Sequence, residues 1–160
     1  MESQSDKPVK PAAGPKLPPY GPSITNEQAK RVASAALKPA RENEWTMVVA
    51  IVDTGGHLVY LEKLDQTQVG SVEIAIAKAK SSAIFKRSTK MFQERLARGG
   101  DGLLVLRLKD AIPVEGGLPI IVDGKLVGAL GVSGGSSAED EVCAEAGAVA
   151  LSSSAYYRDA

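Results

Sequence analysis

One cysteine, one histidine, one tryptophan and two phenylalanines are spread over 160 residues, and each scarcity removes a class of protein. A lone Cys143 excludes an intrachain disulfide and a cysteine metal cluster. A lone His57 leaves no catalytic triad to recognise, so fast chemistry would have to rest on a lysine or on a bound cofactor. With aromatics at 4%, the core has to be built from Ala, Val, Ile and Leu, with closely approaching backbones. Neither sign of charge is in excess, since Lys+Arg and Asp+Glu stand at 19 each; a nucleic-acid-binding chain would normally show a basic surplus or stripe. No apolar run approaches the ~20 residues needed to span a bilayer. A charged stretch followed by an apolar one, as in a signal peptide, is missing too. The chain as it stands reads as cytoplasmic, and as periplasmic or secreted if a signal was trimmed ahead of its polar, Pro-rich start.

What is present is ordinary for one globular domain: 44% hydrophobic and 24% charged residues, at a length that buries a real core. Residues 1–22 hold six prolines and almost no aliphatic side chains. They read as a flexible tail, because they cannot bury enough apolar surface to offset their ordering entropy. Residues 23–155 read as the domain. Thr25 is a candidate N-cap, and Ala29, Val32, Ala33, Ala36, Leu37 and Ala40 recur at helical spacing until Pro39 should kink or stop the helix. Residues 45–52 and 57–63, joined by Asp53-Thr54-Gly55-Gly56, read as a β-hairpin. Residues 71–85 and 89–97 read as helices, the second ended by Gly99-Gly100. Leu103 to Leu108 reads as a short strand and 112–114 as an edge segment. Leu118 to Val122 and Leu126 to Val132 flank Asp123-Gly124, which suits a type I′ turn. A last helix is expected over about 138–151, with Asp140 a candidate cap. The order α-β-β-α-α-β-β-β-α gives an α/β chain of the α+β kind, an antiparallel sheet flanked by helices.

Four stretches, in this order and spacing, resemble the GlcG/HbpS family over roughly residues 23–151. They are Val49-Ala-Ile-Val-Asp-Thr-Gly-Gly-His-Leu58; Gly70-Ser-Val-Glu-Ile-Ala-Ile-Ala-Lys-Ala79 running on to Phe85 and Thr89; Gly116-Gly-Leu-Pro-Ile120; and Gly128-Ala-Leu-Gly-Val-Ser-Gly-Gly135 with Glu139-Asp140 and Ala144-Glu-Ala-Gly147. The resemblance implies a profilin-like sandwich with a five-stranded antiparallel sheet, assembled as a homo-oligomer, a dimer or a larger ring. It also implies small-ligand binding, with haem or a related tetrapyrrole as the cofactor. Members include haem-binding sensor-associated proteins, a protein encoded with glycolate utilisation, and a domain fused to corrinoid adenosyltransferases. The segment matching Thr89 is implicated in haem contact in the family. Some haem-binding relatives carry a histidine in the first helix, and this chain has none there.

The residues themselves offer one concentrated group. Lys78 and Phe85 lie seven apart and share a helix face, and Arg87 and Thr89 follow where the chain turns. A cation, a ring and a hydroxyl at a helix start suit an anionic planar or carboxylate ligand; equally, Lys78 lays its stem along apolar surface, Phe85 fills core and Thr89 caps a helix. Gly116 and Gly117 either let a ligand approach the backbone or mark a turn. His57 is either an axial haem ligand or a polar residue at a hairpin tip. Glu141 and Glu145, one turn apart, are a cation pair or a solvated face. The basic run from Lys78 to Arg98 meets haem carboxylates or an acidic partner, or is simply wet. Cys143 reads as packing, and Leu103-Leu104-Val105-Leu106 as an interface patch or a core strand. The expected function is therefore binding of a small ligand, haem foremost. The alternative is an enzyme or accessory subunit acting on a small carboxylate, with Lys78 converging on an acid such as Glu73.

Overall fold

The computed structural model describes residues 8–152; residues 1–7 of the expected tail and 153–155 of the expected domain lie outside them. Helix α1, Asn26–Glu42, starts where Thr25 accepts the amide proton of Gln28 at 3.2 Å and Gln28 returns a bond to Thr25 N, a reciprocal cap that satisfies two free amides of the first turn. Pro39 sits within this helix rather than ending it, in the last turn, and the chain leaves helical geometry only at Asn43. Its missing amide costs the ladder one bond, the one to Ala35 O, and the helix runs on for three residues beyond it.

Strand β1 (Val48–Val52) and strand β2 (Leu58–Lys63) form the first hairpin. Helix α2 spans Ser71–Phe85 and helix α3 Thr89–Ala97. Strands β3 (Gly117–Val122) and β4 (Lys125–Ser133) form the second hairpin, and helix α4 covers Ser137–Ala148. All strand pairs are antiparallel, in the order β2-β1-β4-β3. The sheet thus has four strands where the family resemblance implied five. The expected strand at 103–108 is a 3-10 helix, Gly100–Arg107. Gly99 and Gly100 both take positive φ and reverse the chain there. Of the apolar run only Val105 is buried, whereas Leu103, Leu104, Leu106 and Leu108 are exposed. Four apolar residues in a row carry no two-residue alternation to seat one face on a core. Residues 112–114 form no strand either.

Helices cover both faces of the sheet. On one side α1 and α4 pack against Val49, Ile51, Leu130 and Val132; on the other α2 lays Ala75, Ala79 and Ala83 on Val48, Ala50, Val52 and Ala129. Strand β1 is buried along its whole length, as a strand covered on both faces must be. The α2 side has almost no thickness to spare. A Cβ on Gly131 would stand 2.1 Å from Ala75 O and 2.6 Å from Ala79 N, so glycine lets the helix backbone rest directly on β4.

The Pro-rich segment, expected to be flexible as far as residue 22, is fastened from Pro19 on. β1 stops pairing with β4 at Val52–Ala129, and the N-terminal segment takes over its place. Pro19 O accepts from Leu126 N, Gly21 N donates to Leu126 O, and Ile24 N donates to Val127 O, each at 2.8 Å. The Tyr20 hydroxyl donates to Ala83 O at 2.8 Å, and its ring lies 4.2 Å from Lys86 Nζ. Proline has no amide to offer, but its carbonyl is enough to begin the pairing.

Candidate functional site

Lys78 projects from α2 through the sheet's end and is 1% exposed. Its ammonium donates to Asp140 Oδ2 at 2.8 Å and to Val132 O at 2.9 Å. Asp140, 62 residues away on α4, accepts from Gly135 N at 3.1 Å with its other oxygen. It does not cap α4, because Ser136 does that, paired with Glu139 in a capping box. Nor does Lys78 converge with Glu73, which is exposed on α2. Burial pushes the Asp140 carboxyl up, while the Lys78 ammonium and the Gly134 and Gly135 amides pull it back in part.

Glu141 is the second buried carboxylate, accepting from Gly116 N at 2.7 Å. Burial likewise raises its pKa, and Glu115 and Glu145 add like charge nearby. Thr89, fully buried, accepts from Gly117 N at 2.9 Å; the cap of α3 is Ser88, which accepts from Met91 N. Lys78 and Thr89, expected in one group with Phe85 and Arg87, are brought together with Gly116 and Gly117 instead, and the space among them is filled. A Cβ on Gly116 would stand 2.9 Å from Lys78 Nζ, and one on Gly117 would stand 2.7 Å from both Lys78 O and Thr89 Cγ2. These residues make a sealed polar junction between α2, α4 and the start of β3.

Phe85 and Arg87 face outward from that junction. The Phe85 and Phe92 rings meet edge to face at 5.3 Å. Arg87 Nε donates to Phe85 O at 3.0 Å, and its guanidinium lies 5.8 Å from the Phe92 ring centroid. It lines, with Met91, Phe92, Glu94, Arg95 and Arg98, a groove of about 220 Å³. Among the described residues none of these three arginines has an ion-pair partner within 4.0 Å. Three guanidinium groups against one carboxylate, Glu94, leave the groove cationic, which suits a carboxylate ligand. Arg95 and Arg98 lay within the basic run. Nothing in composition singles out Met91 and Phe92, although the 91/94/95/98 spacing marks one face of α3, which Arg87 joins from the turn before it.

The remaining candidates sit apart. His57 is at the exposed tip of the first hairpin, its Nδ1 3.3 Å from Asp53 Oδ1, and it does not line the groove. Cys143 is fully buried and its thiol is pushed up to about 11 by burial, so it packs as a small apolar residue. Glu145 is exposed, and among the described residues no group of three or more His, Cys, Asp or Glu side chains is placed to hold a metal ion. No described helix is long and apolar enough to cross a membrane.

Fold and site together define a single-sheet α/β domain, helices on both faces, with a sealed ionic junction and an arginine-lined surface groove beside it. The chain belongs to the HbpS-like family, whose model, described as haem-degrading protein HbpS-like, matches residues 24–149. Protein GlcG of Escherichia coli K12 is 33% identical over 110 residues, 69% of this chain and 81% of GlcG. The crystal structure of HbpS superimposes with a TM-score of 0.74 at 29% identity, over 89% of this chain and 99% of that one. That of PduOC in complex with haem gives 0.73 at 26% identity, over 81% and 96%.

Proposed function

We propose that this protein binds a small anionic ligand at the α2–α3 corner, and that the ligand is haem or a related tetrapyrrole held through its carboxylates. The observation that carries the reading is the trio Arg87, Arg95 and Arg98 around one groove, unpaired among the described residues, with Phe92 beside them. The haem complex of PduOC supports the choice of cofactor. At about 220 Å³ the groove is below the roughly 300–1,000 Å³ of sites that enclose a drug-sized ligand. It fits the carboxylate edge of a macrocycle, with the ring faces left to other cover. Arg87 takes part directly and Phe85 backs the Phe92 ring; Lys78, Thr89, Gly116 and Gly117 hold the corner in place beneath. Titrating hemin into the protein should shift the Soret band with one-to-one stoichiometry, and Arg95→Ala should weaken binding about tenfold, the loss expected of one charge-assisted contact. No shift at low micromolar hemin removes the haem reading.

The small groove volume favours one second reading, that the ligand is a free small carboxylate used by an enzyme or accessory subunit. Saturable calorimetric binding of mono- and dicarboxylates, without a hemin response, would select it. We also infer that the chain self-assembles through the exposed leucines of the 3-10 segment, since contiguous apolar surface of this kind marks interaction sites. His57 is kept as a distal iron ligand only if hemin binds at the hairpin tip, which His57→Ala would reveal by loss of the Soret shift.

A further inference from the structure

Three guanidinium groups and one carboxylate, Glu94, line the groove at the α2–α3 corner, which leaves two positive charges in excess. Among the described residues Glu94 comes within 4.0 Å of none of the arginines, so none of them is spent on an internal pair. The cations are spread out. Arg87 belongs to the turn before α3, is tied through Nε to Phe85 O at 3.0 Å, and holds its guanidinium 5.8 Å from the Phe92 ring centroid. Arg95 and Arg98 follow on α3, about 4.5 Å and 9 Å further along the axis than Phe92. Apolar surface is scant: Met91 is 41% exposed and Phe92 only 3%, around a space of about 220 Å³. A monocarboxylate would leave one of the two excess charges unmet, and a single tetrahedral anion would meet the cations at one point only. Two planar carboxylates on a short aliphatic chain match the charge, the spread and the volume, and each suits a guanidinium fork.

We infer that the groove selects a short aliphatic dicarboxylate, with one carboxylate at Arg87, the other at Arg95 and Arg98, and the linking methylenes against Met91. The inference rests on the reading of this corner as an anion site, whether or not haem also binds the protein. Glu94 is the specificity-determining residue of the opposite sign: it lowers the affinity for every anion, so that only a ligand with two carboxylates is held well.

The test is calorimetric titration of the full chain with succinate, propionate and inorganic phosphate at neutral pH and one ionic strength. Succinate should bind one to one and about tenfold more tightly than either of the others, the gain from one further charge-assisted contact. Arg98→Ala removes an exposed side chain, so the fold should stand while succinate binding weakens about tenfold. Glu94→Gln should tighten it about threefold, as loss of an exposed like charge does. Arg31→Ala, which removes an exposed arginine of α1 outside the groove, should leave it unchanged. Propionate or phosphate held as tightly as succinate overturns the inference. So do equal losses in Arg98→Ala and Arg31→Ala, which would trace the attraction to net charge. A Soret response to hemin without succinate binding overturns this inference and leaves the haem reading standing. No response to hemin or to either carboxylate overturns the anion site itself.

Discussion

The Lys78 ammonium and Asp140 carboxylate are both out of water and 2.8 Å apart, and their balance is asymmetric. Two desolvated charges roughly cancel their own burial cost, whereas one left alone does not. Lys78→Ala should therefore destabilise the fold by about 3–5 kcal/mol, and the double change Lys78→Met with Asp140→Leu should recover most of that in urea unfolding. Glu141 has no such partner and relies on the Gly116 amide. Because burial raises its pKa above the ordinary glutamate value of 4.5, the folded protein keeps this proton to higher pH than the unfolded chain. The stability it contributes is full below 4.5 and is lost as pH rises through the folded value. Glu141→Gln keeps an acceptor for Gly116 N and has no proton to lose. Melting curves from acid to neutral pH should fall less steeply for this variant, which should be no less stable than wild type at pH 7.

At the scale of elements, local signals were legible wherever a cap, a turn or a period decided the outcome. Thr25 caps α1, Asp123 and Gly124 turn the second hairpin with positive φ, and Ala75, Ala79 and Ala83 face the sheet. Illegible were the features that depend on a neighbour. The 103–108 run is apolar enough for a strand, but it has no strand to pair with and folds back over α3 as a 3-10 helix. Proline content alone made the N-terminal segment look loose, yet β4 outruns β1 and leaves backbone groups at Leu126 and Val127 that Pro19, Gly21 and Ile24 satisfy. Tyr20→Ala removes the hydroxyl bond to Ala83 O and the ring beside Lys86, and should cost about 1–2 kcal/mol. Hydrogen exchange at the end of α2 should quicken with it.

At the scale of the whole molecule, helices on both faces leave the sheet's interior dry and push function to its margins. The Lys78 junction closes one end of the sheet, and the arginine groove lies outside it at the α2–α3 corner. Leu103, Leu104, Leu106 and Leu108, close together in the chain, are all exposed. Leu104→Glu places a charge among them without touching the core. Light scattering should then report a smaller species than wild type at equal concentration, with an unchanged melting temperature; equal sizes for the two would mean the leucines do not join copies.

Period, turn chemistry and motif order in the chain were sufficient for its family and for the antiparallel hairpins, because these rest on short-range geometry and on matched stretches. Which acid neutralises Lys78, that the junction is packed shut, and that Arg87 from outside α3 joins Arg95 and Arg98 on an open face were decided only in three dimensions. Burial and ion pairing depend on which distant segments come to lie together, and Lys78 and Asp140, 62 positions apart, carry no mark in the sequence that one belongs to the other.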